Sequence, residues 1–265
     1  MKPILFNLGP VPITSWGVFL LLAFAVGIAI ARRRGQAIGI DSASMLDLCL
    51  YMIIGGLVVG RLGYVLANFP KFVGNLISIV AIWRDASNGG MVFYGGLLGA
   101  ILIAAAYARR QRMPLFKLLD LFAPALAVGY AVAMVGALLT GLYLGSPSGV
   151  PWALDYAQGT ARHPTQIYLL AASFGSYLVL RAQERHGAPA GVLFFIWLLL
   201  FSLGRIAVEV FVESSPVLGP LTLAQVVNIL AAVVAVIGLT FVARRPARDS
   251  DAALSAPLAP PSQSE

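Results

Sequence analysis

Seven apolar segments, each long enough to cross a lipid bilayer, run through most of this sequence. A hydrocarbon core about 30 Å thick needs about 20 mainly apolar residues in an α-helix. The segments occupy residues 16–31, 46–67, 91–108, 120–144, 165–181, 190–210 and 221–242. We therefore predict an all-α, polytopic membrane protein with seven transmembrane helices.

The composition agrees with this prediction. The 265 residues are 59% hydrophobic and only 11% charged, whereas soluble domains carry about 25% charged residues. So few charges cannot cover a surface that faces water. We predict one integral membrane domain, residues 1–245. A tail rich in Ala, Pro, Ser and Asp, residues 246–265, is predicted to be disordered and cytoplasmic.

Net charge and cysteine count exclude several classes of function. The net charge of +7 does not require a nucleic-acid partner, because basic residues that flank membrane spans give the same excess. The one cysteine, Cys49, excludes an internal disulfide and a cysteine-based metal site. It is either a buried structural thiol or a reactive nucleophile. With only two histidines, His163 and His186, we expect no metal and no cofactor.

The loop charges predict the orientation. Alternate loops hold twelve and four Lys and Arg residues, and the richer set faces the cytoplasm by the positive-inside rule. The N-terminus is therefore predicted to lie outside and the C-terminus in the cytoplasm. Residues 68–90 then form an outer segment, whose apolar residues favour lying in the interface over crossing it.

Polar residues inside the apolar segments fall at one predicted depth. Arg61, Arg205 and Glu209 lie near the outer ends of their spans, and the polar block 162–168 begins the fifth span on the same side. Charges within spans usually pair and face an interior. We predict one cavity just below the outer face, lined by Arg61, Tyr94, His163, Gln166, Arg205 and Glu209.

Two interpretations of these arginines stay open. Both could reach lipid headgroups, or pair with Glu209 to lock helices together. Alternatively, they bind the phosphate of a phospholipid, whose geometry a guanidinium matches with two hydrogen bonds. Glycines beside both arginines and in "NGGMVFYGGLLGA" permit close approach, either between helices or to a ligand.

Seven blocks in order make the chain resemble the prolipoprotein diacylglyceryl transferases of bacteria. They are "PVPITSWGVFLLLA", "GGLVVGRLGYVL", "NGGMVFYGGLLGA", "LDLFAPALAVG", "GVPWALDY" leading to "RHPTQIY", "GRIAVEVF" and "LTLAQVVNIL". The resemblance implies transfer of diacylglycerol from phosphatidylglycerol to the lipobox cysteine of a preprolipoprotein, at a site that faces the outer leaflet of the bacterial inner membrane. The implied partners are phosphatidylglycerol, the preprolipoprotein signal peptide and membrane lipids.

The sequence departs from the family pattern at several positions. The family usually has histidine where Tyr94 stands, glutamate at Leu169 and tyrosine near Trp16. In the fourth span it carries a Gly-Arg-x-x-Asn-Phe motif, whose arginine contacts the lipid. Ala137 and Thr140 occupy the arginine and asparagine positions here.

The candidate catalytic residues are Tyr94, His163 and Arg205, and the candidate substrate-binding residues are Arg61, Gln166, Tyr168 and Glu209. His163 either acts as a base or caps the start of its helix. Tyr94 either donates a hydrogen bond to a substrate oxygen or anchors the protein at the interface. Gln166 and Tyr168 either bond neighbouring helices or contact lipid.

Three classes of function remain open from the sequence. An active transferase is favoured by the overall pattern and by Arg205. A catalytically silent or repurposed relative that binds phospholipid or a lipobox peptide is favoured by Ala137. A transporter is disfavoured because the sequence has no clear internal repeat.

Overall fold

The structure, a computed structural model, describes residues 3–8, 11–74, 76–80, 93–156, 159–213 and 216–244. The helices in these ranges are α1 (Ser15–Ala37), α2 (Ser42–Ala67), α3 (Ile77–Val80), α4 (Phe93–Arg110), α5 (Leu115–Thr140), α6 (Thr165–Arg185), α7 (Val192–Glu209) and α8 (Leu223–Ala243). A short 3-10 helix, Phe69–Lys71, follows α2. The predicted tail, residues 246–265, and residues 81–90 of the predicted outer segment lie outside the described residues.

Each of the seven predicted segments overlaps a described helix of at least 18 residues. By length and composition, five helices of the described ranges could cross a membrane: α1, α2, α5, α7 and α8. The all-α membrane class is therefore confirmed. Helices α4 and α6 are less apolar, with Arg109 and Arg110 in the last turn of α4 and polar residues at both ends of α6. The count of seven spans and the orientation stay predictions.

Three small antiparallel hairpins accompany the helices, and the sequence patterns did not predict them. They pair β1 (Ile4–Leu8) with β2 (Val11–Thr14), β3 (Leu154–Asp155) with β4 (Ala161–Arg162), and β5 (Pro216–Leu218) with β6 (Leu221–Thr222). Each lies in a segment that connects or precedes helices. Pairing satisfies backbone N–H and C=O groups that have no helical partner there.

Local chemistry explains where several helices begin and end. Asp41 caps α2 by accepting hydrogen bonds from the Ala43 and Ser44 amides. Thr222 and Gln225 form a reciprocal capping box at the start of α8. At the other end, α5 stops before Gly141, whose φ of 72° is in the left-handed region that glycine tolerates.

The chain divides into two compact units, Met1–Arg34 with Leu119–Glu265 and Gly35–Leu118, called the first and second units below. In the second unit, α2 and α4 pack through glycines. A Cβ on Gly56 would lie 3.0 Å from the Gly96 carbonyl oxygen, and one on Gly99 would lie 2.5 Å from that of Gly55. These described glycines therefore serve close helix packing, one of the two roles predicted for them.

The first unit packs α5, α6, α7, α8 and most of α1. Gly136 of α5 allows close approach to α1, since a Cβ there would lie 2.6 Å from the Phe19 Cβ. Ser173 of α6 donates to the Ala127 carbonyl of α5 over 2.9 Å. Buried Asp120 of α5 accepts hydrogen bonds from the Gly191 and Phe194 amides, and so holds the start of α7.

Candidate functional site

The polar start of α6 is bonded to the segment that follows α5. The Thr165 hydroxyl donates to the Tyr143 carbonyl, and the Gln166 amide donates to the Leu142 carbonyl. The Tyr156 hydroxyl donates to Gln166 Oε1 over 2.7 Å. Thr165 and Gln166 are fully buried. Their polar groups therefore bond the backbone turn that follows α5.

Tyr156 is held in its neutral form. Burial raises the pKa of its phenol, while the hydrogen bond to Gln166 opposes part of that rise. A phenol whose pKa lies above its ordinary value of about 10 keeps its proton at neutral pH. Tyr156 therefore remains a donor to Gln166 and fixes the amide orientation.

Tyr143 links this backbone turn to the partly buried Arg205 of α7. Its φ is 57°, a left-handed conformation that is uncommon for a residue with a side chain. The turn directs the carbonyls of residues 142 and 143 to α6, as described above. The Tyr143 ring centre lies 5.8 Å from the Arg205 guanidinium carbon, within cation–π distance.

Arg205 and Glu209 form an ion pair one turn apart on α7. Arg205 Nη2 lies 3.3 Å from Glu209 Oε2, and the side chains are 13% and 5% exposed. The Thr222 hydroxyl, at the start of α8, donates to Glu209 Oε1 over 3.1 Å. Glu209 therefore contacts Arg205 within α7 and also contacts the start of α8. Its contact with a substrate stays a prediction.

Arg205 also lines a small cavity in the first unit. The cavity is partly open, and its volume of about 200 Å³ includes space that belongs to the surroundings. Its lining is Tyr130, Leu169, Ala172, Ser173, Phe201, Gly204 and Arg205. Apart from Arg205 and the hydroxyls of Tyr130 and Ser173, this lining is apolar. This lining places one cationic side chain beside apolar surface.

Three departures from the family pattern meet in one apolar cluster. Ala137 and Leu169 belong to its buried core with Ala23, Ala133, Met134 and Val208, and Trp16 packs against it. Thr140, at another departing position, donates to the Gly136 carbonyl of its own helix over 2.8 Å. Where the pattern predicts polar groups, this chain therefore has close apolar packing.

His163 belongs to a hydrogen-bonded aromatic group. Its Nδ1 lies 3.2 Å from the Tyr168 hydroxyl, which accepts a 2.7 Å hydrogen bond from Trp152 Nε1. The Phe211 ring lies 4.7 Å from the imidazole. The His163 amide donates to the Ser146 carbonyl over 3.1 Å. Both the backbone and the ring of His163 are therefore held in place.

Arg61 of the second unit is bonded to the main chain. Its Nε and Nη2 donate to the Ile79 and Ser78 carbonyls over 2.9 and 2.6 Å. Its guanidinium carbon lies 5.3 Å from the Phe72 ring centre and 5.5 Å from that of Tyr64. These contacts order the segment after α2. A phosphate-binding role for Arg61 stays a prediction.

The first unit brings together five predicted site residues: His163, Gln166, Tyr168, Arg205 and Glu209. Arg61 and Tyr94 belong to the second unit. The Tyr94 side chain lies outside the described part of the structure. The place of both residues in the same site stays a prediction. The sequence analysis missed Tyr143, Trp152 and Tyr156. The block "GVPWALDY" contains two of these residues, yet its aromatic side chains were given no role.

Comparison with known proteins identifies relatives over almost the whole chain. Residues 3–241 match the family described as prolipoprotein diacylglyceryl transferase. A phosphatidylglycerol–prolipoprotein diacylglyceryl transferase of Synechococcus elongatus is 31% identical, covering 91% of this chain and 87% of that protein. One of the same name from Geobacter sulfurreducens is 33% identical, covering 83% and 85%. One from Bacillus cytotoxicus is 30% identical, covering 87% and 88%.

Proposed function

The chain belongs to the prolipoprotein diacylglyceryl transferase family, and on that basis we propose that it transfers a diacylglyceryl group from phosphatidylglycerol to the lipobox cysteine of preprolipoproteins. The observation that carries this proposal is the match over residues 3–241, supported by three named transferases with similar coverage. The proposed site opens to the outer leaflet of the bacterial inner membrane, on a chain with seven spans and its N-terminus outside.

The reaction exchanges one bond for another. The cysteine sulfur attacks the glycerol carbon that carries the phosphate ester, so that an S–C bond forms as the C–O bond breaks. The electron pair of the broken bond leaves on the phosphate oxygen, and glycerol phosphate departs. The thiol proton passes to water or to a protein base. The protein must therefore orient the thiol and stabilise negative charge on the phosphate.

Arg205 is the residue proposed to hold that phosphate. It lines a largely apolar cavity of the first unit, and its guanidinium can offer two parallel donors to phosphate oxygens. Glu209 fixes the guanidinium from one side, and the Tyr143 ring lies near it. Among the other candidates, Arg61 is proposed to assist in phosphate binding, and Gln166 and Tyr168 to contact the substrate. Tyr94 or His163 is proposed to assist at the reacting atoms.

A silent relative that binds phospholipid is the second candidate function. One observation favours it: Ala137 and Leu169 lie in a packed apolar cluster at positions where the family pattern predicts an arginine and a glutamate. Such a protein would retain the cavity and Arg205 but would lack part of the charge stabilisation that transfer needs.

Reconstituted protein distinguishes the two candidates. We expect proteoliposomes of phosphatidylglycerol to convert a lipobox peptide to its thioether-linked diacylglyceryl form, detected by mass spectrometry. A peptide with serine in place of the lipobox cysteine and liposomes of phosphatidylcholine are the controls. Binding of phosphatidylglycerol without any peptide product would identify the silent relative.

A further inference from the structure

Trp152, Tyr168 and His163 form a hydrogen-bonded chain beside the start of α6. Trp152 lies in the segment between α5 and α6, Tyr168 in the first turn of α6, and His163 two residues before that helix. The distances are 2.7 Å from Trp152 Nε1 to the Tyr168 oxygen and 3.2 Å from that oxygen to His163 Nδ1.

The chemistry of Trp152 determines which atom donates and which accepts in the first of these two hydrogen bonds. An indole N–H can only donate, so the Tyr168 oxygen is the acceptor in the first bond. The phenolic hydrogen is then available for the second bond, and if Tyr168 donates it there, His163 Nδ1 accepts. In a neutral imidazole one nitrogen accepts and the other carries the hydrogen. An accepting Nδ1 therefore assigns the hydrogen to Nε2.

The surroundings keep the imidazole in this arrangement. The Phe211 ring centre lies 4.7 Å from that of His163 and 5.8 Å from that of Tyr168. The backbone amide of His163 is bonded to Ser146, and the Ser146 amide donates to the Phe211 carbonyl over 2.7 Å. Rotation of the ring would therefore break contacts on two sides.

We infer that Trp152 is a positioning residue that acts through Tyr168 to keep His163 in the Nε2–H tautomer. His163 then donates a hydrogen bond to an oxygen of the substrate instead of taking the thiol proton. In the proposed reaction, the oxygen that accepts this hydrogen bond is the phosphate oxygen that receives the electron pair of the breaking C–O bond. No proton transfers from His163 in this role. The inference about substrate rests on the proposed function, whereas the tautomer does not depend on it.

Nitrogen NMR of a single histidine tests the tautomer. The chain has two histidines, so His186→Asn, at the opposite end of α6, leaves His163 alone. In alkaline buffer, where imidazoles are neutral, we expect ¹⁵N-labelled His163 to show the Nε2–H pattern. Trp152→Phe and Tyr168→Phe should both shift it towards a mixture of tautomers. Tyr177→Phe, which removes a hydroxyl from the same helix, should leave it unchanged.

Activity provides the second measurement. Trp152→Phe should lower the transfer rate roughly two- to tenfold, the effect of one hydrogen bond. The substitution His163→Gln separates the two roles, because a glutamine amide can donate a hydrogen bond but cannot take a proton at neutral pH. We expect His163→Gln to keep most of the activity that His163→Leu loses.

Three results would overturn the inference. These are an Nδ1–H pattern in the otherwise unsubstituted chain, a tautomer that does not respond to Trp152→Phe, and His163→Gln as inactive as His163→Leu. Melting temperatures of all variants identify any that fail to fold. Tyr168→Phe tests the hydrogen bond to His163 independently of Trp152. If no variant or parent transfers lipid, the proposed function fails, while the NMR result still decides the tautomer.

Discussion

At the scale of single residues, Arg205 has two roles that substitution can separate. It pairs with Glu209 inside α7, and it also lines the cavity. Losing one partner of a buried pair leaves an uncompensated charge, whereas replacing both with apolar residues is often neutral. A structural role and a phosphate-binding role therefore predict different outcomes for single and double variants.

The phosphate role predicts that charge alone does not suffice. We expect Arg205→Lys to weaken phosphatidylglycerol binding, because a lysine lacks the planar two-donor geometry. Arg205→Ala should abolish binding although the protein still folds and inserts. Binding is measured with labelled phosphatidylglycerol in detergent micelles. Full binding by Arg205→Lys would argue that only the charge matters.

The pairing role predicts a pattern in stability. Glu209→Ala should lower the free energy of unfolding by up to about 3 kcal/mol, because the partly buried Arg205 loses its partner. The double variant Arg205→Leu/Glu209→Leu should recover most of that stability. Thermal unfolding in detergent measures both. Normal phosphatidylglycerol binding in a stable double variant would remove the phosphate role of Arg205.

At the scale of elements, the close approach of α2 and α4 depends on their glycines. A Cβ on Gly99 would lie 2.5 Å from a backbone oxygen of α2 and 2.9 Å from the Val59 Cβ. We expect Gly99→Ala to destabilise the protein by about 1–3 kcal/mol through overpacking, as measured by thermal unfolding. Gly175→Ala is the matched control, because among the described residues no atom outside its chain neighbours and its own helix backbone lies within 4 Å of its new Cβ. In a helix interior, glycine to alanine should be neutral or stabilising. An equal loss of stability in both variants would refute the packing explanation.

The start of α7 depends on a buried carboxylate. Asp120 uses both oxygens, accepting from the Gly191 and Phe194 amides. Asp120→Asn replaces one acceptor with an NH₂ donor, so one buried N–H loses its partner at a cost of about 1–3 kcal/mol. Asp41→Asn, at the exposed cap of α2, should have little effect because asparagine caps about as well. Equal unfolding temperatures for the two variants would contradict this account.

The apolar segments of the sequence located the helices well and their ends less well. Helix α1 continues to Ala37, beyond the predicted end at residue 31, because arginines are good helix formers outside the lipid core. In the candidate site, too, some residues were predicted from the sequence and others were missed. Arg205 and Glu209 were predicted because charge in a span is costly. Tyr143 was missed because its role depends on a left-handed backbone turn, which its residue type disfavours.

At the scale of the whole molecule, the predicted orientation is open to direct test. In a Cys49→Ala background, a cysteine at Ser87 should react with an impermeant maleimide added from outside, whereas one at Gln36 should not. Ser87 lies outside the described residues, and Gln36 lies in the last turn of α1. Labelling is measured in intact cells and again after lysis. Reaction at Gln36 alone from outside would reverse the topology.

The apolar cluster that holds Ala137, Leu169 and Trp16 also constrains how this sequence can have evolved. An arginine placed at 137 alone would be a fully buried charge, and a glutamate placed at 169 alone would be an almost fully buried one. A polar side chain placed at one of these positions alone would therefore be buried beside apolar neighbours. We expect close homologues to carry either all of the apolar residues or none of them.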